Sequence, residues 1–403
     1  MKPDKKSIQN SGLKLDPKLL KGWEQTVLKL ARKPRGHAVH KGRSAEERLR
    51  NIMVHEMNNI QELWDVFNID RRQINRYLSD PKKQAVAYLI GFHLANMARL
   101  QMVLERSESR HNVFNKLLSN KDRTFEIYDF GCGTGAMALT MAQSLIGRGL
   151  PAKSLKVNLY DIRKAFVDSA KLGFEETFGD DVALRSEKNP LEVVFRNLTK
   201  IKTEKREHHT DIFLFGYVWN ELMRSRTEQN FAKRFLKHIK GTGQSSVVIL
   251  LDSANQSVAR ETMELRDDLI NYRYNAVYPC PSPTMLCPML ERSKDWCYSE
   301  ARWELPPAQQ WLDWKMEINH QVFSTGGYLF TSDDLRKTKD NEANTLVVVG
   351  RPTVKTLKHT YGKDQAEYLL CTTAGLTKEK AKGTKDLLLR GILKAPMKVE
   401  PDS

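Results

Sequence analysis

The chain has 403 residues, 40% apolar and 8% aromatic, enough to bury a full core without disulfides and too apolar for a disordered basic tail. Its 65 Lys and Arg against 49 Asp and Glu leave a formal charge of +16, a surplus that suits a polyanionic partner, nucleic acid before a membrane surface. The longest apolar-looking run, 86–104, is interrupted by His93, Asn96, Arg99 and Gln101, so it reads as a buried amphipathic helix and not a membrane span.

Residues 1–36 form a lysine-rich segment with helical signals only from Asp16-Pro17 onward. Its first ten residues show neither the apolar stretch of a secretory signal nor the Arg/Ser-rich look of a transit peptide. The bacterial cytoplasm is the expected location, or the mitochondrial matrix if the chain is eukaryotic. In such a reducing setting the five cysteines are candidates for metal ligands or buried thiols ahead of disulfides. A helical domain is expected over 37–120. Ser44 with Glu47 makes a capping box before an amphipathic run to Phe67. Asp80-Pro81 supplies an N-cap and a first-turn proline for a helix to about Arg106.

From residue 125 the pattern changes. Short apolar runs at 125–130, 155–160, 191–195, 211–215 and 247–251 alternate with helical stretches. This is the grammar of βαβ units and predicts an α/β fold with a mostly parallel sheet, its core over 121–270. Residues 271–315 read as an insertion rich in proline, with three cysteines and four of the seven tryptophans. The segment 316–371 is expected to finish the sheet, with strands at 327–331 and 345–350, and carries the last cysteine. A basic tail, 372–403, follows, with a short apolar stretch at 387–393.

The sharpest local signal is Asp129-Phe130-Gly131-Cys132-Gly133-Thr134-Gly135, between the first strand and the next helix. Glycines let the backbone turn tightly and approach a ligand, and the helix beyond offers unpaired N–H groups to an anion. Asp161 ends the following strand, where an acid can accept hydrogen bonds from both hydroxyls of a ribose. The spacing Gly-x-Gly-x-Gly departs from the dinucleotide fingerprint. It resembles the first motif of the class I S-adenosylmethionine-dependent methyltransferases, whose sheet is Rossmann-like. Asp129, Gly131, Gly133, Gly135 and Asp161 are then the cofactor-binding candidates. After the fourth strand comes Tyr217-Val-Trp219-Asn220-Glu221. No Asn/Asp-Pro-Pro-aromatic motif stands there. Asn220 and Glu221 are candidates for orienting a substrate base, or for capping the next helix.

Outside the glycine loop the cysteines fall as Cys280-x6-Cys287-x9-Cys297, with Cys371 after 73 further residues. Prolines at 279, 281 and 288 stiffen the loop, and thiolates held on such a loop suit a soft metal. Neither the paired spacing of zinc ribbons nor that of ferredoxins fits. A [4Fe–4S] cluster remains compatible, as do zinc and ordinary thiols. The block Pro-Cys280-Pro…Cys287-Pro…Asp-Trp296-Cys297, behind such a core and ahead of a late lone cysteine, resembles one family over roughly residues 80–375. It is that of the methyltransferase-like small-ribosomal-subunit assembly proteins of mitochondria and their bacterial relatives. The resemblance implies a [4Fe–4S] cluster ligated by Cys280, Cys287, Cys297 and Cys371. It also implies an S-adenosylmethionine pocket and action on rRNA of the maturing small subunit, as a methyltransferase or as a non-catalytic assembly factor. A small-molecule methyltransferase with a zinc-stapled lobe is the more remote reading.

Other features have plainer readings. The tryptophans after the cysteines suit packing of a small metal-bearing lobe more often than stacking on RNA bases. His208-His209 reads as a solvated loop. Arg266 and Arg273, seven apart before the cysteine loop, read as phosphate contacts or surface charge. Lysines near both ends suit a phosphate backbone.

Overall fold

The computed structural model describes residues 12–31, 44–68, 81–200, 206–222, 226–332, 346–348, 353–355, 365–372, 375–382 and 391–393. The N-terminal helices form as the caps announce. Helix α1 (Pro17–Leu30) opens where the Asp16 carboxylate accepts from Lys18 N at 2.8 Å, and it buries Leu19, Trp23 and Val27. Helix α2 (Ala45–Asn68) opens where Ser44 Oγ accepts from Glu47 N at 3.1 Å. The single helix expected to run to about Arg106 is broken into α3 (Pro81–Gly91) and α4 (His93–His111). The break falls at Phe92, where φ is −127°, just after Gly91, where a Cβ would lie 3.0 Å from Ile60 Cγ2 of α2. Asp80 lies outside the described residues. Asn112, in the left-handed region, turns the chain into α5 (Val113–Leu118).

The remaining core elements alternate. They are β1 (Thr124–Phe130), α6 (Ala136–Ile146), β2 (Leu155–Tyr160), α7 (Lys164–Phe178), β3 (Ala183–Glu187) and α8 (Leu191–Lys200). Then come β4 (His209–Gly216), α9 (Trp219–Leu222), α10 (Arg226–Gly241), β5 (Ser245–Asp252), α11 (Gln256–Asn271) and β6 (Asn275–Tyr278). After them run β7 (Ser299–Arg302), α12 (Pro307–Lys315) and β8 (Val322–Thr331). Their sheet has eight strands in the order β3-β2-β1-β4-β5-β8-β6, with β7 paired to β8. Strands β1 to β5 are parallel, and β8 runs antiparallel to β5 and β6. This is the α/β, Rossmann-like sheet of the class I methyltransferases, with helices before it and a cysteine-bearing segment within it.

Alternate residues of each central strand feed opposite faces. On β4, Ile212 and Leu214 join the core under α1, α4 and α6, while Phe213 and Phe215 join the one under α10 and α11. With both faces covered, β4 and β5 read as continuous apolar runs, which is why they are legible in the sequence.

Three expectations need correction. The run 191–195 is not a strand but the start of α8, where Pro190 O accepts from Val193 N and Val194 N at 3.0 and 3.2 Å. Val194 and Phe195 are buried while Val193 is exposed, a helical and not an alternating pattern. The third strand is β3, whose polar ALRSE sequence suits an exposed sheet edge. Second, β6 lies inside the segment read as an insertion, yet it forms the outer strand of the main sheet beside β8. Third, the strand expected at 345–350 and part of the basic tail build a separate antiparallel sheet. It comprises β9 (Leu346–Val348), β10 (Thr353–Lys355), β11 (Gln365–Thr372), β12 (Gly375–Lys382) and β13 (Gly391–Leu393). There Cys371 pairs with Val347 on one side and Leu376 on the other.

His209 also departs from expectation. It is buried, with Nε2 3.1 Å from Asp211 Oδ1 and Nδ1 2.7 Å from Thr124 Oγ1. Glu126, His209 and Asp211 present three ligand-type atoms within 4.8 Å of one another. The Arg206 guanidinium already pairs with both carboxylates, at 3.0 Å from Glu126 and 2.8 Å from Asp211, so the group is an ion-pair network tying β1 to β4. Burial pushes the Glu126 carboxyl up, but hydrogen bonds from Arg206 and Asn158 outweigh it and hold the carboxyl below its ordinary 4.5. Arg206→Met is expected to cost about 1–3 kcal/mol at pH 7, less than for a fully buried pair because its side chain is 43% exposed. A depressed carboxyl stabilises above its unfolded value, so urea titrations at pH 7 and pH 4 should show the deficit shrinking at the lower pH.

Candidate functional site

The strand order reverses between β1 and β4, and the crevice outside the carboxyl ends of the strands at such a point is where α/β sheets bind ligands. Here the chain places the glycine loop. Gly131 N and Cys132 N donate to Tyr160 O at 2.8 and 2.9 Å, fastening the loop to β2. Gly135 has φ +84°, and a Cβ there would meet Ala170 Cβ at 2.9 Å; Gly131, at φ +68°, would meet Val218 Cγ2 at 2.8 Å. Both positions therefore exclude a side chain twice over, by backbone and by space.

A cleft of about 210 Å³ opens beside the loop, lined by Gly131, Gly133, Asp161, Ile162, Phe166, Tyr88 and Glu221, among others. Asp161 accepts from Gly133 N at 3.0 Å and from Arg163 N at 2.9 Å. Burial pushes its carboxyl above the usual carboxylate range, and these two bonds oppose the rise. Asp129 and Gly135 do not line the cleft. Asp129 accepts from Ala138 N at 3.1 Å and so caps α6 from beneath; burial pushes its carboxyl up to about 7. The cleft can thus offer a carboxylate to vicinal hydroxyls, apolar side chains to a flat ring and helix-start N–H groups to an anion. The expected cofactor residues are brought together, three lining the cleft and two bracing it.

The N-terminal helices build one wall, which the sequence did not signal. Tyr88 of α3 meets Phe166 edge-on at 5.5 Å, and His93 of α4 holds Thr134 Oγ1 at 2.7 Å from Nδ1. Burial pushes the His93 imidazole down to about 3, and burial with the charges of Arg110 and Lys116 lowers His111 to about 4. Both stay neutral in the fold while the unfolded imidazole takes a proton near 6.5. Stability is therefore intact above pH 6.5 and lost as pH falls towards 3–4, at up to about 1.4 kcal/mol per pH unit for each group. Replacing His93 with glutamine should flatten the slope of unfolding free energy between pH 6.5 and 5 by about that amount per unit.

Asn220 and Glu221 part company. The Asn220 side chain donates to Asp252 Oδ1 at 2.5 Å and to Tyr217 O at 3.1 Å, while its backbone N donates to Asp252 Oδ2 at 3.0 Å. It is buried and turned to the end of β5. Glu221 is exposed and lines the cleft. Tyr217, three residues before Asn220, is in the left-handed region, at φ +60°.

The four late cysteines line one pocket on the far face of the sheet, together with Arg266, Met289 and Tyr328. Cys371 reaches it from β11, in the second sheet. The loop carrying the other three is docked by arginines: Arg110 donates to Cys280 O and, at 2.6 Å, to Pro281 O, while Arg260 donates to Leu290 O, Arg292 O and Asp295 O. Cys287 N donates to the Asp267 carboxylate at 3.0 Å. Burial pushes the Cys287 thiol up to about 11 and Cys371 to about 12. Cys132, in the glycine loop, belongs to neither group.

Arg266 is neither a phosphate contact nor surface charge. It is 1% exposed, with Nε 3.3 Å from Cys280 Sγ and Nη1 2.5 Å from Asp267. The sequence carried a signal: Thr262, Met263, Arg266 and Leu269 follow the buried stripe of α11, and an arginine in such a stripe needs an anion. Arg273 lies beyond the helix end. The tryptophans divide. Trp296 packs against the cysteine pocket and donates to Ala254 O at 2.7 Å, Trp303 is buried in the main core, and Trp314 is 69% exposed.

No curated protein matches the chain. Among solved structures it is similar to magnesium protoporphyrin IX methyltransferase of Synechocystis PCC 6803 with bound S-adenosylmethionine, at 16% identity over 47% of this chain and 84% of that one, TM-score 0.26. It is also similar to a S-adenosylmethionine-dependent methyltransferase of Aquifex aeolicus, at 15% identity over 40% and 80%, TM-score 0.25. A Listeria monocytogenes protein described as a class I methyltransferase matches at 12% identity over 79% and 88%, TM-score 0.31. Likeness at this level does not extend to ligand or substrate. The family model described as mitochondrial small ribosomal subunit Rsm22 matches residues 176–382, which include all four pocket cysteines. That is just over half of the 403 residues, and the chain belongs to the Rsm22 family.

Proposed function

We propose that the chain binds S-adenosylmethionine in the cleft and a [4Fe–4S] cluster among Cys280, Cys287, Cys297 and Cys371. In this reading it acts on rRNA during assembly of the small ribosomal subunit, the particle that its family's description names. The observation that carries the reading is the arrival of Cys371 at the pocket of the other three, in a chain that keeps an open cleft beside Asp161.

The donor set fits a metal. A buried hydroxyl, Tyr328, faces the Cys297 thiol and meets no other acceptor among the described residues, and a buried guanidinium faces Cys280. A single tetrahedral zinc draws its thiolates to about 3.8 Å of one another. Among the described residues no three cysteine sulfurs lie within 4.8 Å of one another, and the cluster is preferred here on the resemblance of the cysteine block. Held there, the cluster would serve as a staple between the main sheet and the second one.

In the cleft Asp161 would take the ribose hydroxyls, Ile162 and Phe166 would flank the adenine, and the loop N–H groups would face the carboxylate. Bound S-adenosylmethionine supplies an electrophilic methyl group. The chain's part is positioning: Glu221 and Tyr217, which line the cleft, would meet a base, with Asn220 and Asp252 as their strut. The +16 charge supports an RNA partner. The compartment would be one in which such a subunit is assembled, the mitochondrial matrix or the bacterial cytoplasm.

A second reading, a non-catalytic rRNA-binding assembly factor, has one observation in its favour. Asp252 and Tyr217 O engage the Asn220 amide, so it does not reach the cleft to hold a target amine. Methyl incorporation into immature small subunits, wild type against Asp161→Ala, separates the two. Incorporation that the variant abolishes supports the enzyme. Demonstrated cofactor binding with no incorporation sinks it and leaves the assembly factor.

A further inference from the structure

Besides the four thiols, two buried polar groups line the cysteine pocket. The Arg266 guanidinium, on α11, is 1% exposed. Its one carboxylate partner, Asp267, is shared with the Cys287 backbone N–H. Its Nε points at Cys280 Sγ from 3.3 Å. Tyr328, on β8, is 2% exposed, and its hydroxyl lies beside the Cys297 thiol and meets no other acceptor among the described residues. Burying a cation or a hydroxyl in an apolar wall is costly unless each is answered by an acceptor. Both sit at the pocket wall, one beside Cys280 and one beside Cys297. Four thiolates bring four negative charges, which bound metal offsets only in part. A fixed cation and an O–H donor at the sulfurs supply the rest.

We propose that Arg266 and Tyr328 are positioning residues of the metal pocket, donating to thiolate or cluster sulfur and balancing the negative charge of the bound centre. This rests on the metal reading above and adds to it which residues outside the ligand set decide how tightly the centre is held and at what potential it is reduced. Groups around the ligands orient them, and hydrogen bonds and net charge at the sulfurs set the potential. The chemistry asked of the two differs. Arg266 supplies charge and an N–H; Tyr328 supplies only a donor, so its removal should be the milder change.

The test uses the full chain purified without oxygen, as wild type, Arg266→Met, Arg266→Lys and Tyr328→Phe. Iron, sulfide and zinc are measured per chain, then the rate of metal loss to excess chelator, then the midpoint potential of iron-loaded protein. Arg266→Met is expected to lose metal roughly 10- to 100-fold faster than wild type, with Arg266→Lys recovering part of the difference. Tyr328→Phe should lose metal several-fold faster, about the scale of one hydrogen bond. Both Arg266→Met and Tyr328→Phe should shift the potential to more negative values, because each removes a group that favours the more negative reduced state. Yet metal-free Tyr328→Phe should melt no lower than metal-free wild type, since without metal the buried hydroxyl meets only a neutral thiol, a weak acceptor. A purely structural role would give the opposite pairing, a lower melting temperature with unchanged metal retention.

Wild-type loss rates and potential in Tyr328→Phe and Arg266→Lys would overturn the proposal, and these two decide it should Arg266→Met fail to fold. Zinc in place of iron in the wild type would fail the cluster reading alone, and the loss rates would still judge the two residues. A wild-type chain holding no metal would overturn both.

Discussion

Asp161→Ala is expected to weaken S-adenosylmethionine binding by roughly 10²- to 10⁴-fold in a calorimetric titration, with the fold retained. The carboxylate would accept from two ribose hydroxyls, and hydrogen bonds to a charged group are each worth about 1.5–3 kcal/mol. Every 1.4 kcal/mol is about tenfold in affinity. The variant also removes the acceptor for Gly133 N and Arg163 N, so the loop keeps only its bonds to Tyr160 O as fastening to β2. Asp161→Asn separates the two effects. It keeps an acceptor oxygen and the side-chain size, and its loss should be nearer tenfold. Equal, wild-type affinity in both variants would mean that the cleft beside the glycine loop is not the cofactor's place.

The second large effect concerns the pocket on the other face of the sheet. Serine at Cys280, Cys287, Cys297 or Cys371 is expected to strip most of the metal from the chain, while Cys132→Ser keeps its full content. Cys132 makes the sharper half of this comparison, since it is buried like Cys297 and Cys371 but lies in the glycine loop. Cys371→Ser carries the most information. It alone comes from the antiparallel sheet, so retention of metal in that variant would detach the second sheet from the site. Because a centre bound only by the folded chain adds its binding free energy to stability, the stripped variants should also melt lower than the loaded wild type.

The parts of this molecule that were legible in the sequence are those with a local physical cause. The capping box at Ser44 and Glu47 and the continuous apolar runs of β4 and β5 needed no long-range information. The same holds for the glycine loop with Asp161, because spacing, flanking strand and terminal acid lie within one βαβ unit. The cysteine block was legible through resemblance, whereas its meeting with Cys371 depends on a sheet built from distant segments. What sequence reasoning missed is non-local. The run 191–195 is apolar enough for a strand, and only its Asn189-Pro190 start and one-sided burial make it α8. His209 and Arg266 look solvated by composition, and each is buried because a partner arrives from another element: Asp211 and Thr124 for the first, Cys280 for the second. Tyr88 and His93 belong to helices that precede the core, so nothing in their neighbourhood marks them as a wall of the cleft.

The account rests on one chain carrying both a cofactor cleft and a four-cysteine metal centre, and the metal is the more exposed of the two claims. The measurement that tests it most directly is the iron, sulfide and zinc content of the full chain purified without oxygen, with its visible spectrum. About four irons and four sulfides per chain, with thiolate-to-iron absorption that disappears in Cys371→Ser, is the result expected. Stoichiometric zinc without sulfide, or soluble folded chain with no metal at all, would contradict it.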